Sequence, residues 1–402
     1  MTKVILYSDC GFFAGCENMM TVLMNSDDFR NKYSPTFYYR KSRSYEHGLN
    51  KRIDYPTLAK PSGVRIIERG QIPKVIRDNL TARACWRFFA ILASPVCQLL
   101  NLVTLFRLLS NSTRETIIIN NGGYPGAHSC LQAAVISKLL GFERVIMIIN
   151  NSPRPRRWKL FRFLDYFNRC ILASLDVIVT GSDETGLAIK EFGCLDSAKF
   201  MTIPNGIEEK HYSDADILLR RSKIFIPKQI LKISIVGLHE ERKGHFILLE
   251  SIYKLSARRA DLAKYLKVSI EGDGNLTPSL KRYVKETNIS HIVRFVGHAT
   301  NMSAFYADTD ILVLPSLHSE DLPNVISEAM LFGVPTIGSK IAGIPSQIEE
   351  EFNGFLIESG DSDQLALKIE EFLENTSLLT RMSANCVDRF YEKFHSDVAI
   401  SQ

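Results

Sequence analysis

Short apolar runs rich in β-branched residues recur along the chain, with helix-like stretches between them. Lys3–Tyr7 (KVILY), Thr116–Asn120 (TIIIN), Val145–Ile149 (VIMII) and Val177–Thr180 (VIVT) are the clearest in the first half. Continuous apolar runs this short suit strands buried on both faces. Helical stretches from about Glu17 and over Ala127–Leu140 separate them. After Ile203-Pro204-Asn205-Gly206 the pattern restarts. Strands are expected over Lys232–Val236, Val268–Glu271, Val293–Val296, Ile311–Leu314 and Thr336–Gly338, with helices over Phe246–Leu255 and Asn324–Phe332. Strands alternating with helices predict parallel sheets covered on both faces. The two runs therefore predict two doubly wound α/β units, joined through the polar, poorly patterned residues 208–230. Such folds bind ligands at the carboxyl ends of their strands.

Two stretches fit this scheme badly. Residues 86–107 (WRFFAILASPVCQLLNLVTLFR) come near membrane-spanning length. Pro95, Gln98 and Asn101 interrupt the run, which favours a buried helical hairpin over an interfacial element, and either over a span. Residues 154–169 (RPRRWKLFRFLDYFNR) interleave cations with Trp, Phe and Tyr, a composition suited to an anionic membrane interface or to a solvated basic face.

Charge adds to the two-unit picture. The net +5 divides into 27 Lys+Arg against 16 Asp+Glu over residues 1–200, and 22 against 28 over the rest. A basic first half beside an acidic second half implies different partners for the two. With 45% apolar and 23% charged residues in 402, disorder is excluded as the default. The first residues, MTKVILYSDCGFFAGCE, read as a strand and loop rather than a signal peptide. The eight cysteines show no zinc spacing, so reduced thiols and a cytoplasmic location are expected, at most peripheral at the inner face of a membrane.

Candidate chemistry gathers at the strand ends of the second half. Glu320 follows the strand Ile311–Leu314, and Glu328 lies in the helix after it. Leu322, Pro323 and Asn324 mark the start of that helix, with Pro323 suited to its first position and Gly333 to the position after its end. Its free N–H groups favour an anion or a sugar oxygen. Gly237 closes another strand, and Arg242 and Lys243 in the following loop are placed for a diphosphate. Gly272 and Gly297, the latter followed by His298, close two more. Each loop alone is an ordinary solvated turn; four along one sheet edge point to a ligand site.

The order IPNG, VG…KG, GDG, VxFxG, E-x7-E and EAM…GxP over residues 203–358 resembles the GT-B-fold retaining glycosyltransferases of family 4, the group 1 transferases. The first half is similar only through Ala14-Gly15-Cys16-Glu17. The resemblance implies a GT-B architecture, two Rossmann-like domains facing each other across a cleft. Their extents are expected as 1–207 and 208–378, with a last helical segment, 379–402, returning toward the first domain. It implies Glu320 against the donor sugar, Glu328 on the ribose hydroxyls, and Arg242 and Lys243 on the diphosphate. Gly15 would let its loop approach the sugar-phosphate, and Gly297 and His298 would border the base.

It also implies a retaining transfer from a nucleotide-sugar to a glycan acceptor, one linked to a lipid pyrophosphate, as in assembly of bacterial O-antigen or capsule. No cofactor and no metal are expected, because fixed cations can carry the leaving-group charge. The chain departs from the pattern at Leu238, at Asp321, and at Asn150, which stands where the family often has a histidine; His128 is a second candidate in that region, although a histidine lying along a helix is the plainer reading. Rival readings are a degenerate sugar-nucleotide-binding scaffold, a sugar-nucleotide epimerase, whose acid and histidine pattern does not match, and a nucleic-acid binder, for which no motif is present.

Overall fold

The computed structural model describes residues 1–13, 15–66, 80–153, 162–193, 195, 199–318 and 320–402. The chain forms two compact units. The first comprises 1–180 and 186–202, the second 181–185 and 203–402.

The first unit holds seven parallel strands: β1 (Thr2–Ser8), β2 (Tyr33–Tyr39), β3 (Ala59–Pro61), β4 (Thr116–Asn121), β5 (Arg144–Ile149), β6 (Val177–Thr180) and β7 (Phe200–Thr202). Their order is β3-β2-β1-β4-β5-β6-β7. Leu6 pairs with Phe37 on one side and Ile118 on the other. Ile5, Tyr7, Ile117, Ile119, Val145, Met147 and Ile178 point into one buried core. The strand order reverses between β1 and β4, which makes their carboxyl ends the expected ligand crevice of this sheet.

The second unit holds six: β8 (Leu231–Val236), β9 (Leu266–Glu271), β10 (Val293–Gly297), β11 (Ile311–Leu314), β12 (Thr336–Ser339) and β13 (Gly354–Ile357), ordered β10-β9-β8-β11-β12-β13 and again all parallel. Here the reversal falls between β8 and β11. Arg242, Lys243 and Glu320 follow those two strands.

Seven helices bear on function: α1 (Gly15–Asn25), α2 (Leu80–Ser110), α3 (His128–Leu139), α4 (Arg162–Ser174), α5 (His245–Arg258), α6 (Asn324–Leu331) and α7 (Thr376–Arg389). The expected hairpin over 86–107 is instead part of α2, one helix of 31 residues with Pro95 inside it. The proline ring removes one N–H from the helical ladder without ending the helix. By length and composition α2 could cross a membrane. Yet Ala90, Asn101, Leu105 and Leu109 are buried, and α2 packs along α3. Its other side exposes Phe88, Phe89, Val96, Leu99, Leu100, Val103 and Phe106. Of the basic-aromatic stretch 154–169, residues 154–161 lie outside the described residues. The remainder opens α4, where Tyr166 and Phe167 are exposed.

The expected boundary at 207 moves to 202, and 379–402 is not a separate piece. α7 buries Leu378, Leu379, Met382 and Cys386 in the second unit. Arg389 Nε donates to the Gln347 carbonyl at 2.9 Å, and Ile207 N donates to the Phe394 carbonyl at 2.9 Å. Residues 208–230 are not an unstructured link either: Asp214–Arg221 is helical, and Arg220 is buried against the Thr309 and Asp310 carbonyls.

Candidate active site

Glu320 is the centre of a charged cluster where β8 and β11 end. It is 5% exposed. Its Oε1 accepts from Lys243 Nζ at 2.6 Å, Ser316 Oγ at 2.9 Å and Arg242 Nη1 at 3.2 Å. Burial lowers the Lys243 ammonium below its ordinary value, and Glu320 opposes that shift by pairing with it. Arg242 also pairs with Glu240 at 3.1 Å, so its charge is shared between two carboxylates, while Lys243 faces Glu320 alone. An anion entering there meets donors already in place, without the reorganisation that water would need.

Glycines make this arrangement possible. Gly244 adopts φ +69, and a Cβ there would lie 1.8 Å from the Pro315 carbonyl oxygen. The loop carrying Arg242 and Lys243 therefore presses directly on the end of β11, fixed by Leu317 N donating to the Arg242 carbonyl at 2.7 Å. Gly272, at φ +111, brings a second loop against the Gly237 carbonyl.

The other expected donor-site residues are placed as follows. Glu328 lies half-buried on α6, and its Oε2 accepts from the buried Tyr306 hydroxyl at 2.8 Å. Pro323 is the residue before α6, not its first helical residue, and no side chain caps that N-terminus. Asn324 Oδ1 accepts from Asn205 Nδ2 at 3.0 Å, so the Asn of the IPNG turn holds the start of α6. Leu322 is buried and its carbonyl faces the same Asn205 amide. His298 is exposed and sits 3.7 Å from Glu271 Oε1, which also accepts from Ala299 N at 3.0 Å. Gly297, at φ +67, has open space where a Cβ would be.

Asp321, noted above only as a departure, has a structural task. Its Oδ1 accepts from Ser182 Oγ at 2.8 Å and its Oδ2 from Gly181 N at 3.1 Å. It fastens residues 181–185 to the second unit. Burial raises its carboxyl above the ordinary range, and the bonds from Thr185, Ser182 and Gly181 offset part of that.

The first unit has its own polar centre at the β1/β4 switch point. Glu17 is buried on α1. It accepts from Ser8 Oγ at 2.8 Å, from Asn120 Nδ2 at 3.0 Å and from the Tyr45 hydroxyl. Asn120 Oδ1 in turn accepts from Asn150 Nδ2 at 2.8 Å. That chain fixes which way the Asn150 amide faces. Asn150 is 8% exposed, and its Oδ1 is buried without a hydrogen-bond partner among the described residues. An acceptor held this way suits a sugar hydroxyl. Gly15 begins α1, two residues before Glu17. His128 is the first residue of α3 and is exposed.

Burial raises the Glu17 carboxyl to about 7, against the hydrogen bonds from Tyr45 and Ser8. At pH below the ordinary carboxylate range the group is protonated in both folded and unfolded chains and has no effect. From there up to about 7 only the unfolded chain ionises, so stability falls as pH rises, by about 3 kcal/mol in total; above that the penalty is constant. Denaturation of wild type and Glu17→Gln at pH 5 and pH 8 should show the wild-type loss shrinking in the variant. Equal pH dependence in the two would refute a neutral-leaning Glu17.

Among the described residues, Cys10, Cys16 and Glu17 are the one group whose potential metal-ligand atoms converge, within 4.8 Å of one another. Glu17 already spends its oxygens on four internal donors, Cys16 included, so a cation there would have to displace them. The seven described cysteines are all free thiols. A cavity of about 290 Å3 lined by Phe225, Leu231, Tyr265 and Phe372 opens at the amino end of β8, the far end from Glu320.

Sequence reasoning missed Ser316, Tyr306, Asn205 and Asn120 as partners of the named residues. Ser316 had a visible signal, four residues before Glu320 at a strand end. Tyr306 and Asn120 had none, because their partners are distant in sequence.

Residues 216–388 match the family model described as Glycosyl transferases group 1. The chain is 32% identical over 136 residues to N-acetyl-alpha-D-glucosaminyl L-malate synthase of Bacillus anthracis, a match covering 34% of the chain and 35% of that protein. It is 25% identical over 315 residues to the UDP-Gal:alpha-D-GlcNAc-diphosphoundecaprenol alpha-1,3-galactosyltransferase of Escherichia coli, covering 73% of the chain and 75% of the relative. The whole chain superposes on 98% of Anabaena HepE, solved in complex with UDP and glucose, with a TM-score of 0.75 at 16% identity. That likeness establishes the GT-B fold.

Proposed function

As a group 1 glycosyltransferase through residues 216–388, built on a GT-B fold, this chain, we propose, moves a sugar from a UDP-linked donor to a lipid-diphosphate-linked glycan, with retention of configuration. The observation that carries this reading is the buried Glu320 holding Lys243 and Arg242 together at the switch point of the second sheet. As the glycosidic bond of the donor breaks, negative charge develops on the β-phosphate. Lys243 and Arg242 meet that charge, and the uncapped N-terminus of α6 adds backbone N–H groups. Glu320 then accepts hydrogen bonds from sugar hydroxyls. Glu328, oriented by Tyr306, accepts from the ribose hydroxyls. No covalent nucleophile is assigned.

The choice of uridine and of a lipid-diphosphate acceptor is supported by the names of the Anabaena and Escherichia coli proteins. The fixed cations make a divalent metal unnecessary, so the transfer proceeds without one. A place in surface-polysaccharide assembly such as O-antigen or capsule follows from the acceptor class. The exposed apolar side of α2, which carries no acidic residue, rests on the surface of an anionic membrane. With Ala90, Asn101, Leu105 and Leu109 packed inward, α2 lies in the membrane plane rather than crossing it.

The test is binding of UDP-, GDP-, dTDP- and ADP-sugars to wild type and Glu328→Ala in excess EDTA. UDP-sugars should bind selectively, and the variant should bind them about tenfold more weakly, the loss of a charged hydrogen-bonding partner. Binding only after divalent metal is restored would reject the metal-free arrangement. Equal affinity in the variant would remove Glu328 from the site. No binder at all would favour a scaffold that has lost its donor site.

A further inference from the structure

The packing of α2 on α3 leaves a cavity of about 230 Å3, mainly apolar in surface, into which a few polar groups are set. Ser94, Cys97, Gln98 and Asn101 of α2 line one side, Gly126–Ser129 and Gln132 line the other, and Arg65 and Ile66 complete it. Among the described residues, no acidic side chain lines it. Asp9, which accepts a hydrogen bond from the lining Ser129, pairs with Arg40 at 2.8 Å.

Three details point to an occupant. First, Asn101 is buried at 5% exposure, and both ends of its amide are spent on the backbone of one residue: Oδ1 accepts from Arg65 N at 3.0 Å and Nδ2 donates to Arg65 O at 2.7 Å. A polar side chain in an apolar helix thus fixes the backbone that carries Arg65. Second, Gln132 Nε2 donates to the Gln98 carbonyl at 3.1 Å, which determines the amide orientation. Its Oε1 is left buried with no partner among the described residues. A buried acceptor without a donor costs about 1–3 kcal/mol, so an O–H or N–H from a ligand is the natural complement. Third, α3 begins at the cavity wall, with no side chain capping its N-terminus and Gly126 at φ +63 leading into it. Those backbone dipoles and Arg65 favour negative charge.

The cavity therefore calls for a ligand that is anionic at one end and rich in hydroxyl or amide hydrogens at the other. We infer that it receives the saccharide–diphosphate head of the lipid-linked acceptor, Arg65 meeting the diphosphate and Gln132 the sugar. This rests on the lipid-diphosphate reading above. The geometry of α2 is consistent with it. Positions 94, 98 and 101 face α3, while Phe88, Val96, Leu99 and Val103 lie on the opposite side of the helix. A membrane under that apolar side lies about one helix diameter, roughly 10 Å, from the cavity. The lipid tail remains in the bilayer and only its head passes the flank of α2.

The test measures binding of GlcNAc-diphosphate on a short alkyl chain to the full-length wild type, Arg65→Ala and Gln132→Leu, beside UDP binding. Arg65 is exposed, so its truncation should leave the fold intact. We expect the probe to bind about tenfold more weakly to Arg65→Ala and several-fold more weakly to Gln132→Leu, with UDP affinity unchanged in both. An alkyl GlcNAc glycoside lacking the diphosphate should be insensitive to Arg65→Ala. Unchanged probe affinity in both variants overturns the cavity assignment and leaves the transfer reading standing. A wild type that binds UDP but not the probe overturns the lipid-diphosphate reading, and the cavity assignment with it. Inorganic diphosphate competing as well as the probe reduces the cavity to a plain anion site and overturns the saccharide half.

Discussion

Lys243→Ala should lower kcat about a thousandfold while leaving the fold intact, the scale seen when one preorganised charge-stabilising donor is removed from a buried site. Lys243 Nζ is 2.6 Å from Glu320 Oε1, and its side chain is only 12% exposed, so water cannot readily replace it. Its loss has two effects. The leaving phosphate loses its least solvated cation, and Glu320 loses its closest partner. Arg242 should matter less. It is more exposed and shares its guanidinium with Glu240 at 3.1 Å. Steady-state kinetics with a UDP-sugar would separate the two, with a larger kcat loss at Lys243 than at Arg242. A loss below about tenfold at Lys243 would contradict its role at the leaving group.

The second large effect concerns α2. Leu99→Glu with Val103→Glu should abolish association with anionic vesicles. Leu99 and Val103 are 63% and 45% exposed, so the folded protein loses little packing. Removing two such side chains from a lipid interface forfeits at least about 3 kcal/mol, more than a hundredfold in partitioning, before the cost of burying charge is added. Co-flotation of wild type and double variant with phosphatidylglycerol vesicles reads this directly. Equal flotation would place the membrane contact elsewhere or nowhere on this helix. Unchanged thermal stability of the variant would confirm that the apolar side serves no internal contact.

The strands that sequence reasoning located were those whose apolar runs are unbroken: Val177–Thr180 and Ile311–Leu314 coincide with β6 and β11 to the residue. β2 escaped notice because YSPTFYY mixes proline, serine and threonine with aromatics, β3 because three residues carry too little pattern, and β13 because it opens on Gly354, which reads as part of a turn. α2 was misread for a different reason. Pro95, Gln98 and Asn101 look like helix interruptions, but the Asn101 side chain bonds the Arg65 backbone and the Gln98 side chain lines the cavity beside α3, its amide donating to Ser94 one turn back. Side-chain polarity reported the neighbour, not the backbone. In the site, spacing was enough to bring Glu320, Arg242 and Lys243 together, because strand ends in a parallel sheet converge. The Glu17–Asn120–Asn150 chain was not legible, since it joins a helix to two strand ends, and Glu17 and Asn120 are 103 residues apart.

The clamp formed by Asp321 has a consequence for how this protein can be taken apart. Residues 181–185 come from the first half of the sequence yet are built into the second unit, so the chain passes between units at 180/181, 185/186 and 202/203. A fragment starting at Ile203 would keep all six strands of its sheet but lose Ser182 and Gly181. Asp321, 4% exposed, would then be a buried carboxylate stripped of its donors Gly181, Ser182 and Thr185, at a cost of about 1–3 kcal/mol or more. Gly181 approaches that carboxylate so closely that a Cβ would lie 2.7 Å from Oδ2, which leaves little tolerance for a substitute segment. Chimeras that exchange the second unit should therefore carry the 181–185 pentapeptide along with it. A single junction between halves would divide a unit that the fold keeps whole.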